Sequence, residues 1–191
     1  AGRPGTSVTF KVRQLGESEI RDITMVRGRV EGSLRNFWLF DVFECSDREI
    51  WFATRTGEII KMDGPRDAPR YTRYESSDGL DMRGRRPRTE LTETADGYLW
   101  ATTASEGGLN QFDNSRWTVS RLSDIGGSDQ NQSMSVDREG TLWVGGQGVL
   151  HAYRQGQWTV YRSPEVPIPD GTVIVHADRK GGLWIGGIGR G

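Results

Sequence analysis

A hairpin motif centred on tryptophan recurs along this chain at a nearly constant spacing. The segment DREGTLWVGG at 137–146 returns as DRKGGLWIGG at 178–187, which is 41 residues later. Weaker copies, TADGYLWATT at 94–103 and CSDREIWFAT at 45–54, place the four tryptophans 49, 43 and 41 residues apart. A second marker, WTVSR at 117–121, returns as WTVYR at 158–162 in the same register. Two independent markers in one register indicate repeated structural units.

Each copy has the residue types of a β-hairpin. An Asp at the first turn position can accept backbone N–H bonds, and a Gly three residues later supplies the conformation that the turn exit needs. The Leu-Trp-Val/Ile that follows is β-branched and aromatic, which is typical of a strand. The position nine residues before each tryptophan is always apolar: Val42, Leu91, Met134 and Val175. That column predicts a buried strand face.

The repeat predicts an all-β protein made of four-stranded β-propeller blades. Strands A to D of the third unit are expected at about 132–136, 141–145, 149–153 and 158–162. Short even strands and a period of 41 to 49 residues match one propeller blade, and no helical periodicity is present. The alternative is an ordinary β-sandwich, which shows regular turns but no repeated motif.

Phasing the repeat divides the chain into about three whole blades and two half-blades. Residues 1–36 form a partial blade and a connecting loop, with strands C and D expected at 8–13 and 23–27. Whole blades are expected at 37–75, 76–122 and 123–163, and a truncated blade at 164–191. Closed propellers usually have four to eight blades, so we expect a truncated larger propeller. A four-bladed ring completed by the two half-blades is the alternative.

Composition narrows the classes of function. The 191 residues carry a net charge of −1, which gives no support to nucleic-acid binding through bulk charge. One cysteine, Cys45, excludes an internal disulfide and a CxxC metal or redox site. No apolar stretch approaches 18 residues, so we expect no direct membrane insertion by this segment.

The pattern D-x-x-G-x-L-W-[IV]-G-[TG], followed by Gly, strand C and an aromatic-Thr-x-Tyr strand, resembles the two-component regulator propeller repeat. Ser77-Asp78-Gly79-Leu80 follows Tyr74 as in that family, with Asp81 where Pro is usual. The resemblance covers about residues 37–187. Thr94 and Cys45 replace the turn Asp in two blades, and Arg48 replaces a turn Gly.

The resemblance implies a non-catalytic, ligand-sensing propeller in the periplasmic or extracytoplasmic part of an inner-membrane two-component receptor. In that family the propeller precedes a membrane segment and a histidine kinase, hybrid kinase or diguanylate cyclase, and many members sense carbohydrates. The implied partners are a glycan or small-molecule ligand, the remaining blades and the downstream signalling domain. No cofactor is implied, and a homodimer of the full receptor stays open. The alternatives are a protein-interaction scaffold and a propeller enzyme acting on polysaccharide.

The repeated residues are predicted to be structural. A large ring at a fixed position of strand B fills the space between adjacent blades, where its burial is favourable. A catalytic carboxylate is normally a single residue and is not copied in every unit. The residues predicted to form the scaffold are Trp51, Trp100, Trp143, Trp184, Asp137, Asp178, Gly140 and Gly181.

The candidate ligand site lies on the D-to-A loops, at about 28–36, 75–88, 122–131 and 163–171. These loops share one face with the B-to-C loops, and there the repeat no longer dictates residue type. Clustered guanidinium groups are suited to carboxylated or sulfated ligands, and solvated basic loops are the alternative. The candidates are Arg29, Arg35, Arg83, Arg85, Arg86, Arg88 and, on an innermost strand, His176. No catalytic residue or metal ligand is predicted, and neither His151 nor Cys45 has an accompanying motif.

Overall fold

The computed structural model describes residues 7–13, 20–26, 39–64, 69–82, 89–102, 108–129 and 133–188. These residues form sixteen β-strands and two short 3₁₀ turns at Ser76–Asp78 and Leu122–Ile125. The chain divides into two compact units, residues 1–36 and 37–191. No helix in the described part of the chain is long and apolar enough to cross a membrane.

The first unit contains an antiparallel hairpin. Strand β1 (Ser7–Arg13) pairs with β2 (Ile20–Val26), from Ser7 opposite Val26 to Arg13 opposite Ile20. Two strands were expected in this part of the chain, and both are present.

The second unit contains three four-stranded antiparallel sheets, blades I to III, and a two-stranded half-blade IV. Blade I consists of β3 (Leu39–Glu44), β4 (Ile50–Thr54), β5 (Ile59–Asp63) and β6 (Arg70–Tyr74). Blade II consists of β7 (Glu90–Glu93), β8 (Leu99–Thr102), β9 (Leu109–Phe112) and β10 (Trp117–Ser120). Blade III consists of β11 (Ser133–Val136), β12 (Leu142–Gly145), β13 (Leu150–Arg154) and β14 (Gln157–Tyr161). Half-blade IV consists of β15 (Thr172–Ala177) and β16 (Leu183–Ile188).

The first strands of successive blades lie side by side. Strand β7 contacts β3 and β11, and β15 contacts β11 and β12. Each sheet is an A-B-C-D meander, so its D-to-A and B-to-C loops lie on one face, which we call the loop face. The predicted all-β propeller architecture of four-stranded blades is confirmed.

A side chain on each A strand accepts a hydrogen bond from the next A strand. The backbone N–H of Leu91 donates to Asp41 Oδ2 at 2.9 Å, and that of Met134 donates to Glu90 Oε2 at 3.2 Å. The N–H of Val175 donates to Ser133 Oγ at 2.8 Å. Every acceptor stands ten residues before a tryptophan and every donor nine. The acceptor positions could not be recognised in the sequence except as polar residues, because Asp, Glu and Ser can each accept this bond.

The core lies between blades. The Trp51 ring packs against Phe112 and Trp117 of blade II, with ring centroids 5.2 and 6.1 Å apart. Trp100 makes the same contact with Tyr153 and Trp158 of blade III, at 4.8 and 5.8 Å. Burying each indole contributes on the order of a few kcal/mol. The strand-B tryptophan therefore joins each of these blades to the next.

The ends of the stack depart from the predicted apolar column. Leu91 and Val175 are buried as expected, but Val42 is 56% exposed. The column points towards the preceding blade, and no described strand of the second unit precedes blade I. The prediction of a buried face is therefore wrong for Val42. At the other end, blade III is followed by a half-blade of only two strands, and Trp143 is half-buried. No described blade follows half-blade IV, and Trp184 is 66% exposed.

Candidate functional site

The turn aspartates hold the tryptophan that follows six residues later. Asp137 Oδ2 accepts the indole N–H of Trp143 at 2.8 Å, while its Oδ1 accepts the N–H groups of Glu139 and Thr141, both at 2.9 Å. Burial opposes ionisation of Asp137, but these bonds outweigh it and lower the pKa of the carboxyl. Gly140 adopts φ +81°, a left-handed conformation that favours glycine.

The same turn recurs in half-blade IV. The indole N–H of Trp184 donates to Asp178 Oδ2 at 2.8 Å, and this bond is the main cause of a lowered pKa at Asp178. Gly181 has φ +91°. These carboxylates are engaged within their own hairpins, at the blade edge opposite the loop face.

The predicted ligand residues fall mostly outside the described residues. Arg29, Arg35, Arg83, Arg85, Arg86 and Arg88 all lie there, so the arginine site remains a prediction. His176 is described and exposed on β15, opposite Trp184 in the strand register.

An open cleft of about 430 Å³ lies on the loop face between blades I and II. Its lining comes from the loop that leaves β6 and from the end of β10. The lining residues are Ser76, Gly79, Leu80, Asp81, Met82, Val119 and Arg121. Met82 directly precedes the arginine-rich segment 83–88 in the sequence.

An ion pair forms the polar part of this cleft. Arg121 Nη2 donates to Asp81 Oδ2 at 2.5 Å, and the Asp81 carboxylate also accepts the N–H of Gly108 at 3.3 Å. The Asp81 side chain is 6% exposed and that of Arg121 is 32% exposed. Arg121 Nη1 lies 4.0 Å from Asp129 Oδ2 on the next loop. The guanidinium charge is therefore already balanced by two carboxylates.

Asn110 holds Asp81 in position through a hydrogen bond to its backbone. Its Oδ1 accepts the N–H of Asp81 at 2.7 Å, and its Nδ2 donates to the Ala101 carbonyl at 3.4 Å. Asn110 is fully buried on β9. The propeller repeat that this sequence resembles usually has proline at position 81. Proline has no N–H that could donate to such an acceptor.

His151 holds the next loop in the same way. It stands on β13 opposite Val144, as Asn110 stands on β9 opposite Ala101. Its Nδ1 lies 3.2 Å from the Val144 carbonyl, which can only accept, so Nδ1 carries the proton. Nε2 then accepts the N–H of Ser128, also at 3.2 Å. Both ring nitrogens of this fully buried histidine are engaged in positioning a loop.

Burial lowers the pKa of His151 below its ordinary value of 6.5. The charge of Arg162 adds to the lowering, while the Val144 carbonyl and Asp129 oppose it. The imidazole is therefore neutral at pH 7, as the acceptor role of Nε2 requires.

The arrangement is suited to binding through polar contacts. The cleft presents a charge-balanced guanidinium and the Ser76 hydroxyl beside the apolar Leu80, Met82 and Val119. Within the described ranges, no three His, Cys, Asp or Glu side chains are grouped so that they could hold a metal ion. Sequence reasoning missed Asn110 and Arg121. The departure at Asp81 and the arginine that ends the WTVSR marker were the available signals.

Comparison with known proteins gives likenesses in structure alone. No family model matches the sequence, and no curated protein matches it. A catalytically inactive variant of virginiamycin B lyase from Staphylococcus aureus, solved with quinupristin, aligns with a TM-score of 0.59 at 11% identity, covering 94% of this chain and 52% of the lyase. A streptogramin B lyase aligns with a TM-score of 0.60 at 14% identity, covering 87% of this chain and 52% of that protein.

A further neighbour belongs to a signalling protein. It is the extracellular domain of a protein assigned to the hybrid two-component systems of B. thetaiotaomicron. The TM-score is 0.56 at 15% identity, over 81% of this chain and 20% of that domain. The chain has a β-propeller fold. It spans about half the length of the lyases and a fifth of the sensor domain, and at these identities the likeness shows the fold alone.

Proposed function

We propose that this chain is the non-catalytic, ligand-sensing propeller portion of a bacterial two-component receptor, on the extracytoplasmic side. The likeness to the extracellular domain of a hybrid two-component system supports this proposal, as does the repeat pattern. Ligand binding on the loop face would shift the packing of the blades against a downstream module and so bias a two-state signalling element.

The cleft between blades I and II carries the proposal. A sensor needs an accessible site whose polar groups are positioned before the ligand arrives, and Asn110 and the Arg121–Asp81 pair supply that positioning. The ligand class that we propose is a carbohydrate. Hydroxyl groups can use the guanidinium and Ser76, while the C–H face of a sugar packs on Met82 and Val119.

The test is calorimetry with neutral, uronate-containing and sulfated oligosaccharides. Val119→Trp fills the cleft, and we expect it to weaken binding at least tenfold, which is about 1.4 kcal/mol. Val160→Trp is the matched control. Like Val119, it stands two residues after the D-strand tryptophan of its blade, but it does not line the cleft.

Three results would count against parts of the proposal. Failure of the whole panel to bind the unmodified chain would refute a carbohydrate ligand. Equal binding by both tryptophan variants would remove the cleft as its site. Replacing Arg83, Arg85, Arg86 and Arg88 by Ala is expected to weaken only the uronate and sulfated ligands, and unchanged affinity for them would remove the arginine site.

A lyase activity is the second candidate, favoured by the two lyase likenesses. The Staphylococcus aureus lyase is catalytically inactive when one histidine is replaced by alanine. The two histidines of this chain differ in availability, since His151 is buried with both nitrogens engaged and His176 is exposed. Mass spectrometry of quinupristin incubated with the chain tests this candidate. Product formation that stops in His176→Ala would favour the lyase over the sensor.

A further inference from the structure

The loops that enter blades II and III are held in the same way, and they differ at one charged position. In blade II, the loop residue whose N–H donates to a strand-C side chain is Asp81, and its carboxylate balances Arg121 directly after strand D. In blade III, the corresponding N–H donor is Ser128. Arg162 directly follows strand D there, 41 residues after Arg121 in the repeated marker. Blade III therefore keeps the arginine and has no carboxylate at the position that balances it.

The Arg162 guanidinium lies on the loop face. A methyl group built on Gly126 would be 3.7 Å from Arg162 Nη2, so the guanidinium is beside the loop that enters blade III. Arg162 is exposed, and among the described residues its side chain has no hydrogen-bond or ion-pair partner. Its charge is thus available to a ligand.

The acidic residues of the same loop do not take the place of Asp81. The loop contains two carboxylates, Asp124 and Asp129. Asp129 accepts the N–H and the hydroxyl of Ser123 at 3.1 and 2.6 Å, and it lies 4.0 Å from Arg121. Asp124 forms no ion pair with any described residue. The charge balance found in blade II is therefore missing in blade III.

A backbone donor accompanies the arginine in both blades. In blade II, a single oxygen, Asp81 Oδ2, accepts Arg121 Nη2 at 2.5 Å and the N–H of Gly108 at 3.3 Å. Val149 stands at the position of Gly108, directly before strand C of blade III. It is 7% exposed, and no acceptor for its N–H is found among the described residues. A buried N–H without an acceptor is unfavourable, so this position favours a bound oxygen.

We propose that blade III has a carboxylate-binding site formed by Arg162 and the N–H of Val149. The ligand supplies the carboxylate that Asp81 supplies in blade II, and a guanidinium can hold it through two parallel N–H···O bonds. The carboxylate belongs either to a uronic acid or to a simple organic acid. Both donors belong to blade III and neither lines the cleft, so this inference does not rest on the proposed function.

Chemical-shift titration of the isotope-labelled chain near neutral pH tests the site. The probes are sodium acetate, sodium glucuronate and glucose, with sodium chloride added to match the ionic strength. Acetate and glucuronate should shift the Val149 amide and the Arg162 Nε–Hε signals saturably, with a Kd on the order of 10 mM or below. Glucose and chloride should not. Tighter binding of glucuronate than of acetate identifies a sugar acid as the ligand class, and equal binding identifies a simple carboxylate.

Two pairs of variants test the role of each group. Ser128→Asp copies blade II by placing a carboxylate on the chain, and it should raise the acetate Kd by about tenfold or more. Ser128→Asn is its matched control, because it has nearly the same shape without the charge, and it should leave the Kd unchanged. Arg162→Gln should also raise the Kd by about tenfold or more. Arg154→Gln, which removes an exposed arginine paired with Glu139 at the opposite edge of the blade, should not.

Several outcomes would overturn the proposal. They are the absence of a saturable acetate response in the unmodified chain, an equal response to chloride, an unchanged Kd in Ser128→Asp, and an equal loss of binding in Ser128→Asp and Ser128→Asn. Circular dichroism melts check that every variant is folded, and Arg162→Gln tests the site without any change to the loop.

Discussion

At the scale of single residues, one hydrogen bond explains the spacing of the repeated motif. The residue six positions before each tryptophan faces the indole N–H. Asp137 and Asp178 accept it, and in blade II Thr94 Oγ1 accepts the N–H of Trp100 at 3.0 Å. In blade I that position is Cys45, and the indole nitrogen of Trp51 is buried without a partner. The substitution of Asp by Thr is therefore conservative in chemistry, and that by Cys is not.

We predict that Cys45→Thr stabilises the protein. The new hydroxyl would accept the N–H of Trp51 and donate to Asp47, as Thr94 donates to Asp96 at 2.5 Å. A net gain of about 1 kcal/mol over Cys45→Val is expected, since Val has the shape of Thr without its oxygen. Urea unfolding of the two variants measures the difference, and equal stabilities would contradict the bond.

Aspartate at the same position should not reproduce the gain. Burial, together with Glu93, Asp47 and Glu49, raises the pKa of the Cys45 thiol to about 12, so this site disfavours a negative charge. Cys45→Asp is thus expected to be less stable than Cys45→Thr near pH 7. The raised pKa also keeps the thiol protonated and poorly reactive.

At the scale of elements, one position of strand C holds the loop that enters blade II and the loop that enters blade III. Asn110 and His151 occupy it in blades II and III, where each bonds the strand-B carbonyl and a loop N–H. In blade I the residue is Ile60, opposite Phe52 in the same register. The loop face is therefore positioned from within the sheets by buried polar groups.

Because burial lowers the pKa of His151, stability should fall with acidification. At pH values below the ordinary His pKa of 6.5, His151 is protonated in the unfolded chain but stays neutral in the folded protein until the pH reaches its lowered pKa. The free energy of unfolding should therefore decline as the pH drops from about 6.5 through the folded-state pKa and then level off. Thermal melts from pH 7.5 to pH 4.5 measure this effect.

His151→Asn is the matched variant, because it copies the residue that blade II uses at this position. It should retain the loop contact and remove this part of the pH dependence, while His176→Asn, on the exposed histidine, should leave it in place. If His151→Asn and the unmodified chain lose stability in parallel on acidification, His151 is not the titrating group.

At the scale of the whole molecule, the main contacts between the described blades join neighbouring blades, so stability should vary along the stack. Blades I and II are joined to the next blade through a tryptophan, and blades I to III through an A-strand side chain. Arrays of this kind behave as sums of unit and neighbour terms. Half-blade IV has two strands and an exposed Trp184, and blade II is covered on both sides.

Hydrogen exchange should therefore be faster in β15 and β16 than in β7 to β9. Peptides from 172–188 are expected to exchange through local opening, and those from 90–112 only through larger unfolding. Uniform protection across both segments would show that the stack unfolds as a single cooperative unit.

The repeat made the architecture predictable and left the cleft unpredictable. Trp100 and Trp143 mark their blades because a fixed ring at a fixed position is needed in each. Asp81 and Arg121 are 40 residues apart, and the pair is not repeated in the other blades. The repeat pattern therefore could not predict their contact. Asn110 could be noticed only as one of the two polar residues of strand β9.

By itself, the sequence determined the all-β class, the blade period and the role of the turn residues, because hairpin chemistry is local and recurs in every unit. Only the tertiary structure decided which side chains meet across blades, which tryptophans are covered and which acceptors serve the A strands. Those outcomes depend on the neighbour that each sheet acquires, and the same motif is buried in Trp100 and exposed in Trp184 because only the first is followed by a whole blade.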